Sequence, residues 1–257
     1  MPELFAARGD QSVVVAQPGD PGGERRAWLA AEACPTSSIG RSPRADRPAG
    51  LYPLVVDGPV HDLGYTSEAS FGATSYLVVR PDGNLLVDAP RFARQLIPAV
   101  DQLGGIAHVL LTHRDDVADA ALWAQRYGAR TWIHRADRSA APHATDLFEG
   151  EETVPVAAGV VAVPVPGHTR GSVVFCVDDR WLFSGDSLAW SHQRRDLVAF
   201  RGACWYSWPE QTRSLERLAA TVRFEWVLPG HGARVRLERD DAQQRLLALV
   251  DRMRLAA

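Results

Sequence analysis

Three short segments of the chain decide its fold: Gly167-His168-Thr169-Arg170-Gly171-Ser172, Ser184-Gly185-Asp186 and Pro229-Gly230-His231-Gly232. Each follows an apolar, strand-like run, at residues 160–165, 181–183 and 226–228 respectively. Each also places one histidine or aspartate on a tight glycine turn. A fourth segment, Thr112-His113-Arg114-Asp115, follows the apolar run 107–111 in the same way. The pattern predicts four polar side chains presented at the ends of β-strands.

The side chains in these segments are of the kind that binds transition metals. Imidazole and carboxylate groups are ligands of zinc, iron and manganese. The metal site of a hydrolase needs several such ligands at one rim, with an open position for water, whose pKa the metal lowers. One such segment could arise by chance in a chain with 21 glycines, but four in this order predict a metal centre. The candidate ligands are His113, His168, Asp186 and His231.

The four segments resemble the metal-binding motifs of the metallo-β-lactamase fold superfamily, and the resemblance extends from about Tyr65 onward. It implies an α/β fold, a four-layer αββα sandwich in which helices cover both outer faces of two packed sheets. Helices interleaved with paired strands favour the same architecture. The resemblance also implies that His168 binds one metal, that Asp186 bridges two metals and that His231 binds the second.

The first motif departs from the superfamily pattern H-x-H-x-D-H. It reads His113-Arg114-Asp115-Asp116-Val117-Ala118, so that Asp115 replaces the second histidine. This arrangement resembles the H-x-E-x-D pattern of flavodiiron proteins, whose oxygen-rich ligation favours iron or manganese over zinc. The first metal position would then have a full set of ligands, namely His113, Asp115, His168 and Asp186. The second would keep Asp186 and His231, and we expect it to bind more weakly.

Three segments, at 34–36, 70–76 and 112–119, resemble a subfamily that fuses a ferredoxin-like segment to a metallo-β-lactamase-like domain. The subfamily pattern D-V-A-D-H has a histidine where this chain has Ala120, which leaves Asp119 as a candidate ligand of the second metal. Alternatively, Asp115, Asp116 and Asp119 supply negative charge to the N-terminus of a helix that begins near residue 116. We expect Asp115 to be a ligand and Asp116 to have the helix role, while both interpretations stay open for Asp119.

The first 58 residues differ in character from the rest. The resemblance makes residues 1–58 a ferredoxin-like remnant and linker, and residues 59–257 the metallo-β-lactamase-like domain. Composition predicts a helix at 24–33 and a linker at 36–50. An iron–sulfur cluster needs about four cysteines, whereas the whole chain has three and this region has only Cys34. We therefore expect no iron–sulfur cluster and a structural role for the segment.

Strands and helices alternate after residue 75. Pro81-Asp82-Gly83 predicts a hairpin turn between strands at 76–80 and 84–88, because Asp-Gly readily adopts the positive φ that such turns need. Asp88 ends the second strand, and the resemblance makes it a carboxylate that steadies the His113 loop. Apolar periodicity predicts helices at 92–103, 116–127, 210–220 and 240–255, and strands at 108–112, 131–134 and 226–228.

An aromatic-rich stretch follows Asp186, where this fold places loops over the metal. Its large rings are Trp190, Trp205, Tyr206 and Trp208. They either form a wall for the substrate or pack against the last helix, and the sequence leaves these alternatives open.

Composition excludes several classes of protein. The 257 residues are 46% hydrophobic with a net charge of −3, which suits a large α/β domain and gives no reason to expect a nucleic-acid partner. All basic side chains are arginine, so a lysine Schiff base is excluded. No apolar run approaches a membrane span, and the N-terminus lacks a signal-peptide pattern. We expect a cytoplasmic protein that acts on a small molecule, without a membrane partner.

The sequence therefore predicts a metal-dependent hydrolase with one or two divalent transition metal ions: zinc, iron or manganese. Metal-bound hydroxide would attack an ester, thioester, lactone or phosphoester, and Asp115 and Asp186 are the candidate catalytic carboxylates. One alternative is a non-haem diiron redox protein, which would need an external source of electrons. Another is a non-catalytic binding protein, which the lack of histidine at Ala118 and Ala120 favours.

Overall fold

The structure, a computed structural model, describes residues 3–9, 11–40 and 47–256. Residues 41–46, within the predicted linker, lie outside these ranges. None of the helices in the described ranges is both long enough and apolar enough to cross a membrane.

The N-terminal segment is a small hairpin followed by a helix. Its elements are β1 (Phe5–Arg8), β2 (Gln11–Val14) and α1 (Pro21–Ala33). The side chain of Asp20 accepts a hydrogen bond from the backbone N–H of Gly23 at 2.7 Å and so caps the helix. Trp28 is buried on the inner face of α1. The helix predicted at 24–33 is thus confirmed, with three further residues at its start.

The first large sheet has an antiparallel half and a parallel half. Its strands in the described residues, in spatial order, are β3 (Leu54–Asp57), β4 (Val60–Asp62), β5 (Tyr76–Val78), β6 (Leu85–Val87), β7 (His108–Leu110), β8 (Arg130–His134) and β9 (Asp146–Phe148). Pairing is antiparallel from β3 to β6 and parallel from β6 to β9. The antiparallel pairing of β5 with β6 confirms the predicted hairpin. Helices α2 (Ile97–Gln102) and α3 (Ala120–Tyr127) connect the parallel strands β6, β7 and β8.

The second half of the chain forms the other large sheet, a separate hairpin and two helices. In chain order these elements are β10 (Val154–Ala157), β11 (Val160–Pro164), β12 (Val173–Val177), β13 (Trp181–Gly185), β14 (Ala189–Ser191), β15 (Asp196–Val198), α4 (Trp208–Thr221), β16 (Trp226–Pro229), β17 (Val235–Arg236) and α5 (Arg239–Leu255). The sheet order in the described chain is β10-β11-β12-β13-β16-β17. β13 and β16 are parallel, whereas the other neighbours in this sheet are antiparallel.

The apolar core lies in three layers because successive strand side chains point to opposite faces. Leu85 and Val87 pack between the two sheets, whereas Leu86 packs towards α2 and α3. In the second sheet Phe175 lies between the sheets, and Cys176 lies towards α4 and α5. Both strands are buried on both faces, as apolar runs without polar alternation require. The predicted αββα sandwich is confirmed.

Two helices of the first half begin later than their apolar periodicity predicts. α2 begins at Ile97 rather than at residue 92, with Pro98 in its first turn, where a missing N–H has no cost. α3 begins at Ala120 rather than at residue 116. Ala118 has a φ of +38°, a left-handed conformation that cannot continue into a right-handed helix.

Candidate metal centre

The strand directions bring the predicted ligands to one edge of the sandwich. β13 and β16 are parallel neighbours, so Asp186 and His231, which follow them, lie side by side. β11 runs in the same direction as β13, because both pair antiparallel with β12, and it leads to His168. In the other sheet, β7 leads to His113. The four candidate ligands therefore meet where the two sheets face each other.

The first cluster consists of His113, His168 and Asp186, with Asp115 beside it. The Nε2 atoms of His113 and His168 lie 3.8 and 3.6 Å from Asp186 Oδ2. Asp115 Oδ2 lies 3.5 Å from His168 Nε2 and 4.0 Å from His113 Nε2. The two imidazole rings meet edge to face, with 4.6 Å between their centroids. The structure thus brings together the four residues that the sequence assigns to the first metal position.

Hydrogen bonds on the far side of each imidazole orient the two histidines. His168 Nδ1 donates to the carbonyl oxygen of Ala203 at 2.5 Å, and since a carbonyl only accepts, Nε2 keeps its lone pair. His113 Nδ1 lies 2.9 Å from Thr112 Oγ1. That hydroxyl donates to Asp88 Oδ2 at 2.8 Å, and so it accepts from His113 Nδ1. Both Nε2 lone pairs are therefore available to a metal.

Asp88 holds the loop that carries His113, as the sequence predicts. Besides the hydroxyl, the backbone N–H of Thr112 donates to Asp88 Oδ1 at 2.8 Å. Asp88 follows β6 and Thr112 follows the adjacent parallel strand β7, so the two residues lie at the same sheet edge. Asp88 does not cap α2, which begins nine residues later, at Ile97.

The second cluster shares Asp186 with the first and adds Asp116 and His231. One ligand atom from each of the three lies within 4.8 Å of the others. His231 Nδ1 lies 2.9 Å from Asp186 Oδ1, and its Nε2 lies 3.2 Å from the carbonyl oxygen of Phe71. A Cβ atom at Gly230 would lie 2.5 Å from Asp116 Oδ2. The glycine before His231 is therefore needed to admit the Asp116 carboxylate.

Several polar atoms of the two clusters are buried without a hydrogen-bond partner among the described residues. They are Nε2 of His113, Nε2 of His168 and both carboxylate oxygens of Asp116. Burial, with the charges of Asp88 and Asp186, raises the pKa of Asp116 well above its usual range. Burial of an ionised carboxylate without hydrogen-bond partners destabilises the folded state by on the order of several kcal/mol. A divalent cation would supply both the charge and the bonds, and this donor set fits a transition metal.

Of the other titratable groups of the clusters, Asp186 and His113 have the charge state that binds a metal. Burial would raise the pKa of Asp186, but the hydrogen bond from His231 and the neighbouring imidazoles lower it below its usual value. The same hydrogen bond raises the pKa of His231. Burial lowers the pKa of His113 to about 3 and raises that of Asp88 to about 7. At neutral pH, Asp186 is therefore an anion and His113 is neutral, as metal coordination requires.

The acidic residues after Asp115 differ from the expectations. Asp116 lies in the second cluster, and its predicted place at a helix N-terminus is wrong, because α3 begins four residues later. Asp119 lies outside both clusters. Its Oδ2 accepts a hydrogen bond from the backbone N–H of Phe92 at 2.6 Å, and its side chain makes no cap hydrogen bond to α3. The contact with Phe92 gives Asp119 a structural role, and its assignment as a metal ligand stays a prediction.

Asp137 is a residue of the site that the sequence analysis does not identify. It is 1% exposed and follows β8 by three residues. It accepts hydrogen bonds from the Thr169 hydroxyl at 2.5 Å, the Arg114 N–H at 3.1 Å and the Gly171 N–H at 3.2 Å. Arg114 and Thr169 each directly follow a ligand histidine, so one carboxylate fixes both ligand loops. No motif surrounds Asp137, and the only signal is an acidic residue close behind a buried strand.

The clusters open into a cavity of about 1280 Å³. Its lining includes Asp115, His168, Asp186 and His231, and the aromatic side chains of Phe71, Phe200, Trp205 and Tyr206. Trp190 and Trp208 instead pack against the apolar layer of α4 and α5, where Trp208 Nε1 donates to the Met253 carbonyl oxygen. Trp190 and Trp208 therefore have the predicted packing role, whereas Trp205 and Tyr206 line the cavity and their role as a wall for the substrate stays a prediction.

The fold and the two clusters define a candidate metal-binding protein of the αββα class. A family model described as the metallo-beta-lactamase superfamily matches residues 64–253, which is well over half of the chain. The chain therefore belongs to the metallo-β-lactamase superfamily. A second family model, described as the 4Fe-4S single cluster domain of ferredoxin I, matches residues 1–41. The second match covers the region of the N-terminal hairpin and α1.

Curated relatives match part of the chain. A hydroxyacylglutathione hydrolase of Xanthomonas oryzae pv. oryzae is 31% identical over 159 residues, which are 61% of this chain and 59% of that protein. A hydroxyacylglutathione hydrolase of Fuscovulum blasticum is 34% identical over 155 residues, which are 57% of this chain and 56% of that protein. The uncharacterized protein YobT of Bacillus subtilis is 30% identical over 170 residues, covering 55% and 71%. The chain thus spans less than two thirds of the length of the two hydrolases.

Solved structures share the architecture at low sequence identity. The DIM-1 metallo-β-lactamase superposes with a TM-score of 0.57 and 18% identity, over 77% of this chain and 95% of that chain. A metallo-β-lactamase from Hirschia baltica gives a TM-score of 0.57 and 15% identity, over 77% and 96%. At these identities the likeness concerns the fold alone.

Proposed function

We propose that the protein is a metal-dependent hydrolase that cleaves an ester, thioester, lactone or phosphoester of a small molecule. One observation carries the proposal: the free Nε2 atoms of His113 and His168 converge with Asp186 at a cavity of about 1280 Å³. Membership of the superfamily and the relatives called hydroxyacylglutathione hydrolases support it. Their name puts an acylated glutathione first among the substrates to be tested.

We assign six residues as ligands of two metals, with Asp186 assigned to both. The first metal would be held by His113, Asp115, His168 and Asp186, and the second by Asp116, Asp186 and His231. A divalent metal bound there would supply an activated water and polarise the bond to be cleaved. The chain itself sets the geometry, because Thr112 and Ala203 orient the imidazoles through their hydrogen bonds.

The cavity wall gives a substrate a defined place beside the first cluster. The backbone N–H of Trp205 donates to the carbonyl oxygen of His168 at 2.9 Å. The indole centroid lies 6.4 Å from the His168 ring. An acyl group packed on Trp205 would therefore have its carbonyl close to the clusters, and the ring would exclude water around it. Substrate hydrolysis would then begin from an oriented carbonyl rather than from a randomly placed one.

The donor chemistry supports a second candidate function. Three carboxylates, Asp115, Asp116 and Asp186, lie in or beside the clusters. Such oxygen-rich donor sets favour iron or manganese over zinc. A non-haem diiron redox protein would have the same ligands, and it would need electrons from an external donor. Metal analysis of the purified protein separates this candidate from a zinc hydrolase.

We also propose that residues 1–58 derive from a ferredoxin-like segment that no longer binds a cluster, and that residues 59–257 form the metal-binding domain. The family match to residues 1–41 supports the origin of the segment. Those residues contain one cysteine, Cys34, too few for a cluster held by four cysteines. The cytoplasmic location and the absence of a nucleic-acid partner stay predictions from the sequence.

The proposal is tested by loading the purified protein separately with zinc, iron and manganese. Each form is assayed with S-lactoylglutathione, 4-nitrophenyl acetate, an acyl homoserine lactone and bis(4-nitrophenyl) phosphate. We expect metal-dependent hydrolysis of at least one substrate, lost in His168→Ala and retained in His192→Ala, whose side chain is exposed and outside the clusters. Turnover that survives both chelation and His168→Ala would refute the proposal. Metal-loaded protein that hydrolyses none of the substrates and changes its visible absorbance on reduction would favour the diiron alternative.

A further inference from the structure

We propose that three arginines around the cavity, Arg114, Arg170 and Arg201, form an anion-binding rim, and that the substrate therefore carries a negatively charged group. The inference rests on the proposed hydrolase function and specifies the chemical class of its substrate. All three residues line the cavity into which the metal clusters open. We call these three residues the arginine rim.

The charges of the arginine rim are poorly balanced by protein carboxylates. Within the described residues, no ion pair with a carboxylate oxygen within 4.0 Å involves Arg170 or Arg201. Arg114 Nε lies 4.0 Å from Asp115 Oδ1, at the limit of an ion pair. Arg201 instead stacks over an aromatic ring, with its Cζ 5.8 Å from the Trp208 centroid. Most of the other arginines in the described residues make ion pairs with carboxylates, so the cavity is lined by cations that lack a close carboxylate partner.

The carboxylates that line the cavity are already engaged. Asp137 accepts three hydrogen bonds from the ligand loops, and Asp186 accepts one from His231. Asp115 lies beside the imidazoles of the first cluster and is assigned to the metal. Metal binding would add further positive charge to the same space. The cavity as a whole therefore favours an anionic ligand over a neutral one.

The backbone at the base of two of the arginines is held rigidly. Asp137 accepts a hydrogen bond from the N–H of Arg114 itself, and others from the residues on either side of Arg170. One buried carboxylate thus fixes where both side chains leave the backbone. Because the backbone at these arginines is already ordered, less conformational entropy is lost when their guanidinium groups bind an anion.

Exposed aromatic rings adjoin the arginine rim. Phe71, Trp205 and Tyr206 are 78%, 68% and 50% exposed, although they are large apolar side chains. All three line the cavity. Exposed apolar surface of this kind marks a place for an apolar ligand group. The substrate that fits is an ester or thioester with an apolar portion and a remote oxyanion, either a carboxylate or a phosphate, which guanidinium groups bind through paired hydrogen bonds.

The kinetic test uses two esters that differ only in the remote group: mono-4-nitrophenyl glutarate and its methyl ester. We expect the zinc-loaded protein to favour the anionic ester by roughly tenfold in kcat/KM at low salt, and less at high salt. Arg170→Gln and Arg201→Gln should each lower this ratio about two- to fivefold. Arg94→Gln, an exposed arginine outside the cavity, should leave the ratio unchanged. Equal hydrolysis of the two esters by all forms would overturn the inference and leave the hydrolase function standing.

A binding measurement keeps the inference testable if neither ester is hydrolysed. Calorimetric titration of the zinc-loaded protein compares 3-phenylpropanoate, phenyl phosphate and the neutral 3-phenylpropanamide. Tighter binding of either anion, weakened in the Arg170→Gln and Arg201→Gln double variant, supports the arginine rim, and the tighter anion identifies the group. Binding that is equal in wild type and double variant would place the anion on the metal and overturn the inference. Circular dichroism and zinc content verify that each variant is folded and loaded.

Discussion

The carboxylate of Asp137 accepts a hydrogen bond of 2.5 Å from the hydroxyl of Thr169, although the two residues follow strands of different sheets. Asp137 follows β8 in the first sheet, and Thr169 follows β11 in the second. The hydrogen bond is buried, and its donor, Thr169, directly follows the ligand His168 in sequence. A second bond from the Arg114 N–H joins Asp137 to the other ligand loop. The spacing between the two histidines thus depends on a residue that contacts neither imidazole.

Replacing Asp137 should therefore weaken metal binding without removing a ligand. Asp137→Ala leaves the Thr169 hydroxyl and two N–H groups without their acceptor, so both ligand loops can shift. Loss of such supporting contacts typically costs about 10–100-fold in metal affinity, and we expect a change of that size. A competition titration against a chromophoric chelator measures it. The matched control is Asp101→Ala, which removes an exposed carboxylate on α2 that lies outside both clusters. Unchanged affinity in folded Asp137→Ala would contradict this role.

The first cluster should account for the tightest-bound metal. A triple variant with His113, His168 and Asp186 replaced by alanine removes three ligand atoms that lie within 4.8 Å of one another. We expect the purified protein to retain at least one equivalent of transition metal after dialysis and the triple variant to retain none. Elemental analysis gives the stoichiometry, and His192→Ala serves as the control. Equal metal in the triple variant and wild type would show that the ligands lie elsewhere.

Asp116 and Asp119 should behave differently although they are three residues apart. Asp116→Asn removes a carboxylate from the second cluster, so we expect the more weakly held metal to be lost while the first is kept. Asp119→Ala removes the acceptor of the Phe92 N–H, which should lower the free energy of unfolding by about 1–2 kcal/mol with unchanged metal content. Elemental analysis and denaturant titration of both variants test the contrast. Metal loss in Asp119→Ala, with Asp116→Asn unaffected, would restore Asp119 as the ligand.

Metal removal should also destabilise the fold. Without a cation, burial first and then the proximity of the other carboxylates raise the pKa of Asp88 and Asp116, so these groups are unfavourable as anions in the metal-free protein. A metal at a hundredfold excess over its Kd stabilises the native state by about 2.7 kcal/mol, equivalent to roughly 5–10 °C in Tm for a chain of this size. Thermal denaturation with chelator, and again after reloading with zinc, measures the shift. A Tm that does not respond to metal would argue against a buried metal centre.

The sequence predicts His113, His168, Asp186 and His231 because each is specified locally. At His168, Asp186 and His231 an apolar run ends and the ligand side chain lies on a glycine turn, whereas His113 follows its apolar run without a glycine. The pairing of β13 with β16 then brings Asp186 and His231 together, since neighbouring parallel strands end at one edge. The fold follows from the same local features, which is why the αββα sandwich could be predicted from the order of strands and helices.

The residues that the sequence does not predict depend on conformation or tertiary contact. Asp116 enters the second cluster because the chain turns at Ala118 with a φ of +38°, which delays the helix to Ala120. An alanine at position 118 gives no sequence signal for a left-handed turn. Asp137 acquires its role from loops of both sheets that meet only in the folded protein. Apolar periodicity reports which face of a segment is buried, and it contains no information about such contacts.

The N-terminal segment should stabilise the protein without contributing to the metal centre. The Thr66 hydroxyl donates to the carbonyl of Ala33 at 2.6 Å, and a guanidinium nitrogen of Arg91 donates to that of Glu32 at 2.7 Å. Both carbonyls lie at the end of α1, so side chains from residues 66 and 91 hold the helix in place. Trp28 adds a buried ring, and burial of a side chain of this size stabilises by about 1.5–3 kcal/mol.

Deleting residues 1–50 should therefore lower the Tm by roughly 5–10 °C while metal content stays the same, because every proposed ligand lies beyond Tyr65. A milder variant, Thr66→Val with Arg91→Gln, removes the two hydrogen bonds at the end of α1 and should give a smaller decrease in the same direction. Scanning calorimetry and elemental analysis on the three proteins separate stability from metal binding. Iron–sulfur absorbance in full-length protein purified without oxygen would contradict the structural role. Metal loss on deletion with an unchanged Tm would contradict it as well, because the segment would then belong to the metal centre.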